Sequence, residues 1–241
     1  MTTTAKFESV GASSVVLTDG LHSWRWLDAW GPNVVKYFNN FDVPVSGADT
    51  PLAATVTLVE AGGGDTTLTV PATQPGALLI TADAAENDGA NVQWLTNQWF
   101  MFDGRYPTYF GIKFQINDAT QTDLLAGVCI TDTTLLGGMT DGVYVRKEDA
   151  STTMYLVVEE DSVESVTAIG TVRDATWHVA EWYFDGTTWH GYFDGAPGGT
   201  ITGGYPHEDN LAPSIHFLTG ETVANTCYID WIKIIQVREA V

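Results

Sequence analysis

Residues 177–199, WHVAEWYFDGTTWHGYFDGAPGG, constrain the fold more than any other stretch of the chain. Two aromatic runs of alternating polarity flank Asp185-Gly186-Thr187-Thr188, and Asp194-Gly195 closes the second run. Asp-Gly readily supplies the positive φ of a tight turn, so the stretch predicts a β-hairpin. One face of its first strand carries Ala180, Trp182 and Phe184; one face of its second carries Trp189, Gly191 and Phe193. Pairing Phe184 with Trp189 puts Tyr183 opposite His190 and leaves His178 facing Gly195.

From Val34 onward the pattern stays β. Strand-like runs are expected at 34–38, 53–60, 66–70, 76–81, 109–117, 124–131, 213–218 and 227–238, with 142–146 and 154–159 forming another hairpin. Residues 109–117 place Phe110, Ile112, Phe114 and Ile116 on one face and Lys113, Gln115 and Asn117 on the other, as in a half-buried antiparallel strand. Residues 124–131 align Leu124, Ala126, Val128 and Ile130. The last run is apolar on both faces, as in a central or covered strand. No long 3.6-residue apolar period interrupts this, and 24 glycines punctuate the chain throughout. Short strands with regular turn signals predict a sandwich, and pairing of first with last strands suits a jelly roll. At 241 residues the chain is long enough for one large β domain.

The formal charge is −20, from 30 acidic and 10 basic residues. Such a surface repels phosphate, which argues against nucleic acid and anionic lipid as partners. The start, MTTTAKFESVGASSVV, lacks a charged segment followed by an apolar core, and no run approaches the ~18 apolar residues of a membrane span. Cys129 and Cys227 sit in strand-like runs and are expected to be buried free thiols rather than a disulfide.

Residues 1–35 differ from the rest and form an N-terminal arm preceding a domain at 36–241. The arm is rich in Thr and Ser at its start and then gathers Trp24, Trp26 and Trp30 before the break at Gly31-Pro32. It reads as a short helix or as an extended segment. Its indoles either pack on their own domain or dock on a neighbouring subunit, since exposed aromatic clusters mark interfaces.

The runs Trp177-His178 to Asp185-Gly186 and Tyr192-Phe193-Asp194-Gly195 resemble a motif of concanavalin-like and laminin-G-like sandwiches. Further runs carry a second likeness: Thr122-Asp123 to Gly127, Thr140-Asp141-Gly142-Val143-Tyr144-Val145-Arg146-Lys147, Leu211-Ala212-Pro213-Ser214, Thr219-Gly220-Glu221, and Asp230-Trp231 to Gln236. In order and spacing these resemble a group of tailed-bacteriophage virion proteins over about residues 36–241. The resemblance implies an all-β, concanavalin-like antiparallel jelly-roll β-sandwich on a phage particle.

Hydrolysis is the chemistry this fold invites. Retaining glycosidases need two carboxyls ~5–5.5 Å apart. In concanavalin-like glucanases these lie on one strand as E-x-D-x-x-E, and that spacing is absent. Glu159-Glu160-Asp161 is contiguous, so neighbours face opposite sides, and Asp185 and Asp194 read as turn formers. No G-x-S-x-G elbow or phosphate-binding loop is present, and the histidines make no zinc motif. Asp83, Glu86, Asn87 and Asp88 form an acidic loop that could hold one Ca²⁺, although a solvated loop has the same composition. Trp94, Trp99, Tyr106 and Tyr109 are candidates for a sugar site, set against the need of jelly rolls for bulky core fillers.

The resulting expectation is a non-enzymatic capsid decoration or cement protein. It would sit on the capsid surface as a homo-oligomer such as a trimer, with Trp24, Trp26 and Trp30 docking on the major capsid protein. The alternative is a lectin-like glycan-binding adhesion module of the virion surface or fibre.

Overall fold

The structure, a computed structural model, describes residues 33–42, 54–59, 65–207 and 210–238, together with the backbone strands at 6–9, 14–18 and 25–29. The strands are β1 (Lys6–Ser9), β2 (Ser14–Thr18), β3 (Arg25–Ala29), β4 (Val34–Asn39), β5 (Thr55–Val59), β6 (Thr67–Thr69), β7 (Leu78–Thr81), β8 (Gly89–Gln93) and β9 (Thr108–Ile116). They continue as β10 (Thr122–Cys129), β11 (Gly142–Lys147), β12 (Thr153–Glu160), β13 (Val163–Thr171), β14 (His178–Phe184), β15 (Thr188–Phe193), β16 (Ala196–Thr202), β17 (Ala212–Thr219) and β18 (Thr226–Val237). Two large antiparallel sheets form the expected jelly-roll sandwich. One runs β13-β12-β11-β10-β17-β8-β5; the other runs β16-β15-β14-β9-β18-β7-β6, with β4 also paired to β18.

Alternation explains the layering. Phe110, Ile112, Phe114 and Ile116 of β9, and Ala180, Trp182 and Phe184 of β14, face Leu124, Ala126 and Val128 of β10 and Ile215 and Phe217 of β17 in one core. The aromatic hairpin forms in the expected register, with Phe184 opposite Trp189 and Tyr183 opposite His190. Trp182 stacks on Phe110 (centroids 5.4 Å apart, planes 13°) and meets Trp189 edge-on at 5.6 Å. Strand β18 is central. It lies between β9 on one side and β7 followed by β4 on the other, and a register shift between Ile229 and Trp231 re-aims its side chains. That placement accounts for its apolar character on both faces: beyond the bend, Ile235 and Val237 join Tyr183 in a small cluster on the outside of the sheet.

Three elements differ from the sequence-based expectation. In the N-terminal segment, β1, β2 and β3 pair as a three-stranded antiparallel sheet. Strands β8 and β13 form in stretches for which the sequence predicts no strand. β8 reads GANVQ, whose only apolar side chains are Ala90 and Val92, and β13 reads VESVTAIGT, without regular apolar alternation. Both cysteines are free and buried, as expected, Cys227 in the core and Cys129 on the opposite side of its sheet.

Candidate functional site

The outer face of the seven-stranded sheet holds the densest set of buried polar groups. Register fixes its rows. One row crosses from Gln93 through Ser214, Gly127 and Tyr144 to Val157; the next crosses from Asn91 through His216, Leu125 and Arg146 to Tyr155. A third, at the end of the sheet, runs Ala212, Cys129, Gly142, Glu159, Glu164.

The connection from β10 to β11 folds back over half of this face. Leu135 and Met139 cover Leu125, Cys129, Tyr144 and Val157 in a second apolar cluster. The loop is held by amides from beneath: Asn91 Nδ2 donates to the Thr133 carbonyl at 2.6 Å, Gln93 Nε2 to the Ile130 carbonyl at 2.8 Å, and Asp132 N–H to Gln93 Oε1 at 3.1 Å. This is why amides occupy β8. They satisfy loop backbone that would otherwise be buried without partners.

His216 sits under the same loop, its Nδ1 2.5 Å from Asn91 Oδ1. Burial pushes its imidazole down to about 4, so it is neutral in the fold. An unfolded histidine takes up a proton near pH 6.5, so the acid side favours unfolding. Stability is therefore expected to be complete above pH 6.5 and to fall by about 3 kcal/mol as pH drops to ~4. Urea midpoints across that window check this, and His216→Gln should flatten the dependence.

At the margin of this cover lies a compact carboxylate pair. Glu159 on β12 lies directly opposite Glu164 on β13 across a two-residue turn, Asp161-Ser162, with φ of 52° and 64°. Directly opposite side chains in an antiparallel pair sit close together. Tyr144 on β11 points between them, its hydroxyl 2.8 Å from Glu159 Oε2 and 3.0 Å from Glu164 Oε1. The two oxygens are thus no further apart than these two contacts laid end to end. Arg146, two residues along β11, forks onto Glu164 through both terminal nitrogens, one of them at 3.0 Å from Oε2. Gly127 lets this part of the sheet close: a Cβ there would fall 2.2 Å from the Val143 carbonyl and 2.5 Å from Tyr144 Cα.

Environment separates the two acids. Glu159 is 7% exposed and its carboxyl is raised above the usual range, chiefly by burial. The charge on Glu164 adds to the shift, and the Tyr144 hydrogen bond opposes it. Glu164 is more open, with a third of its side chain exposed, and is matched by the guanidinium. Burial also raises Tyr144, which keeps its proton. A phenol has one proton and can donate to one carboxylate at a time. Both contacts are favourable together when Glu159 is protonated and donates to the phenol oxygen, while the phenol donates to Glu164.

The other sequence candidates are dispersed. Asp185 is a turn former: despite partial burial, hydrogen bonds from the Thr188 backbone, His190 and Thr187 pull its carboxyl down to about 2. Asp194 accepts from the Val179 N–H at 2.9 Å and bonds His178 Nδ1 at 2.8 Å, while His190 bonds Asp185, so the two histidines sit in separate pairs. Glu181 bonds the Tyr109 hydroxyl at 2.7 Å and does not join Asp185. In the acidic loop, Asp88 is buried, whereas Asp83 is only partly buried and Glu86 and Asn87 are exposed. The Asn87 N–H donates to the Thr219 carbonyl at 2.7 Å. No group of three or more acidic, His or Cys side chains among the described residues is arranged to hold a metal. Trp94 is buried against Tyr37 and Phe41, while Trp99 is exposed. Trp24 and Trp30 lie outside the described residues; Trp26 falls on β3, opposite Val16.

Comparison with known proteins bears on these expectations. No protein-family model and no curated protein matches the chain. Among solved structures it is similar to a Shewanella oneidensis protein of unknown function (12% identity, 98% of this chain and 92% of that one, TM-score 0.57). It is similar also to the laminarinase of Rhodothermus marinus (12% identity, 84% and 97%, TM-score 0.59). A third is the catalytic domain of an endo-1,3-beta-glucanase from Thermotoga petrophila (13% identity, 84% and 97%, TM-score 0.58). At these identities the likeness establishes the concanavalin-like fold. It also corrects two expectations. Further similar structures are also glucanases or other glycosyl hydrolases, and nothing in these likenesses points to a virion protein. The capsid-decoration reading and the non-enzymatic assignment are therefore withdrawn. The first rested on the likeness to phage virion proteins and the second on the lack of a one-strand carboxylate pattern; the fold brings two carboxyls together across a hairpin instead.

Proposed function

We propose that this chain binds and hydrolyses a glycan, with Glu159 as general acid and Glu164 as nucleophile. The observation that carries this is the pair itself: two carboxyls from adjacent strands sharing one phenol, close to the ~5–5.5 Å separation of retaining enzymes. Pairs of acids whose surroundings push their protonation apart are the signature of acid–nucleophile chemistry. The fold shared with laminarinases supports a glycan as substrate.

The chemistry follows from the residues. Glu159, its carboxyl raised by burial, donates its proton to the departing glycosidic oxygen. Glu164, oriented by the Arg146 fork on its two oxygens, attacks the anomeric carbon and forms a glycosyl ester. Water deprotonated by Glu159 then releases the sugar with its anomeric configuration retained. Tyr144 links the two acids and passes hydrogen-bond polarisation between them. Activity should decline as pH rises through the raised value of Glu159, because the acid loses its proton.

The test is cleavage of a panel of β-glucans and other polysaccharides, followed by reducing-end release. Glu159→Gln is expected to lose roughly 10²–10⁴-fold on polysaccharide but far less on an aryl glycoside whose leaving group needs no proton. Equal losses on both substrates, or no cleavage of any substrate by the unaltered protein, would remove Glu159 from this role.

A further inference from the structure

An open groove of about 500 Å³ lies at the edge of the sandwich, away from the carboxylate pair. Lys36 on β4, Gln98, Trp99 and Met101 from the β8–β9 connection, Asn210 before β17 and Arg238 after β18 line it. Neither Glu159 nor Glu164 contributes. We infer that this groove is a second glycan site, selective for sugar units bearing a negative charge. The inference goes beyond the hydrolytic reading and does not depend on it.

Three observations converge. First, Trp99 is 45% exposed, whereas Trp94, Trp182 and Trp189 are fully buried. An indole face open to solvent at the wall of a groove is a stacking platform for the C–H face of a pyranose, and tryptophan presents it at low conformational cost. Second, Arg238 is half fixed. Its backbone N–H bonds the Asn33 carbonyl at 2.7 Å and its Nε reaches Gln236 Oε1 at 3.3 Å, while Nη2 is shielded from water and has no hydrogen-bond partner among the described residues. A desolvated guanidinium nitrogen without an acceptor is costly unless something supplies one. Its planar fork matches a carboxylate or sulfate. Third, two of the ten basic residues of a chain with net charge −20 line this one groove. The protein field disfavours anions in general, so selectivity for an acidic unit must come from these local donors.

The amides complete a sugar site. Gln98 Nε2 is engaged by Thr131 Oγ1, which leaves its carbonyl for a hydroxyl, and Asn210 is exposed. The Gln98–Thr131 bond also ties the groove to the loop covering the outer sheet face. Asn210 immediately precedes the Leu211–Phe100 bridge that leads into β17. From Ala212 the end row of the sheet runs through β10 and β11 to Glu159, three strand spacings or roughly 14 Å away.

The test is binding, followed by tryptophan fluorescence and calorimetry, with three tetrasaccharide probes: a uronate oligomer, a sulfated galactan oligomer and a neutral β-1,3-glucan oligomer. The uronate or sulfated probe should bind at least tenfold more tightly than the neutral one, and more weakly as salt rises. Which of the two is tighter identifies the acid group. Trp99→Ala and Arg238→Gln should each weaken binding tenfold or more with unchanged melting temperature, Arg238→Lys should recover only part of it, and Glu164→Gln should leave it intact. Equal binding of all three probes, no binding, or full binding by folded Trp99→Ala and Arg238→Gln would overturn the inference. Loss of binding in Glu164→Gln alone would place the sugar at the carboxylate pair and also overturn it.

Discussion

Glu164→Gln is expected to lower polysaccharide cleavage by roughly 10⁴-fold, the scale seen when one member of a group that acts as a unit is removed. The change replaces one oxygen by an amide nitrogen and removes the attacking lone pair. It should leave the fold in place. Glu164 lies at the sheet margin with a third of its side chain exposed, and partly exposed ion pairs contribute ~0–1 kcal/mol. The amide oxygen can still accept from Arg146, and Val163 and Val166 on either side are exposed. A large catalytic loss with a melting temperature within a few degrees of the parent therefore reports chemistry. A folded Glu164→Gln protein that cleaves at the parent rate would place the reaction elsewhere.

Trp182→Ala should have the largest effect on stability, costing about 3–5 kcal/mol, the range for removing a buried tryptophan. Trp182 is fully buried and meets three aromatic rings, Phe110 stacked and Trp189 and Phe102 edge-on. Deleting it opens a void between β9, β14 and β15, where the hairpin meets the core. For a chain of this length the melting temperature should fall by roughly 10 °C or more. Trp99→Ala is the contrast, because Trp99 is exposed and its removal should stay within about 0.5 kcal/mol. Trp182→Phe should cost less than the alanine change, partly because it removes an indole N–H that is buried without a partner. Paired denaturant titrations of the three variants check the order.

What the sequence made legible follows from local chemistry. The Asp-Gly turns set the register of the β14–β15 hairpin, and strict alternation marks β9 as a half-buried strand and aligns the core face of β10. Those signals need only residues close in the chain. The carboxylate pair was not legible for the opposite reason. A one-strand search tests residues that share a face of a single strand, whereas Glu159 and Glu164 meet only once Asp161 and Ser162 both adopt positive φ and β13 forms. Neither turn residue is glycine, and β13 is an edge strand with exposed Val163 and Val166 and little apolar alternation. Asn91 and Gln93 were equally hidden. They look like loop residues until a loop some forty positions later folds over them and takes their hydrogen bonds. The groove at Trp99 was half visible: the tryptophan stood out, but Lys36 and Arg238 come to it from opposite ends of the domain.

The most direct test of the carboxylate pair is covalent labelling with an activated 2-deoxy-2-fluoro glycoside, which slows release of a glycosyl ester more than its formation. Intact mass and peptide mapping should show one sugar per chain, on Glu164, and none on the Glu164→Gln protein. A label on any other residue, or hydrolysis of the natural substrate with inverted anomeric configuration and no label, would contradict the account.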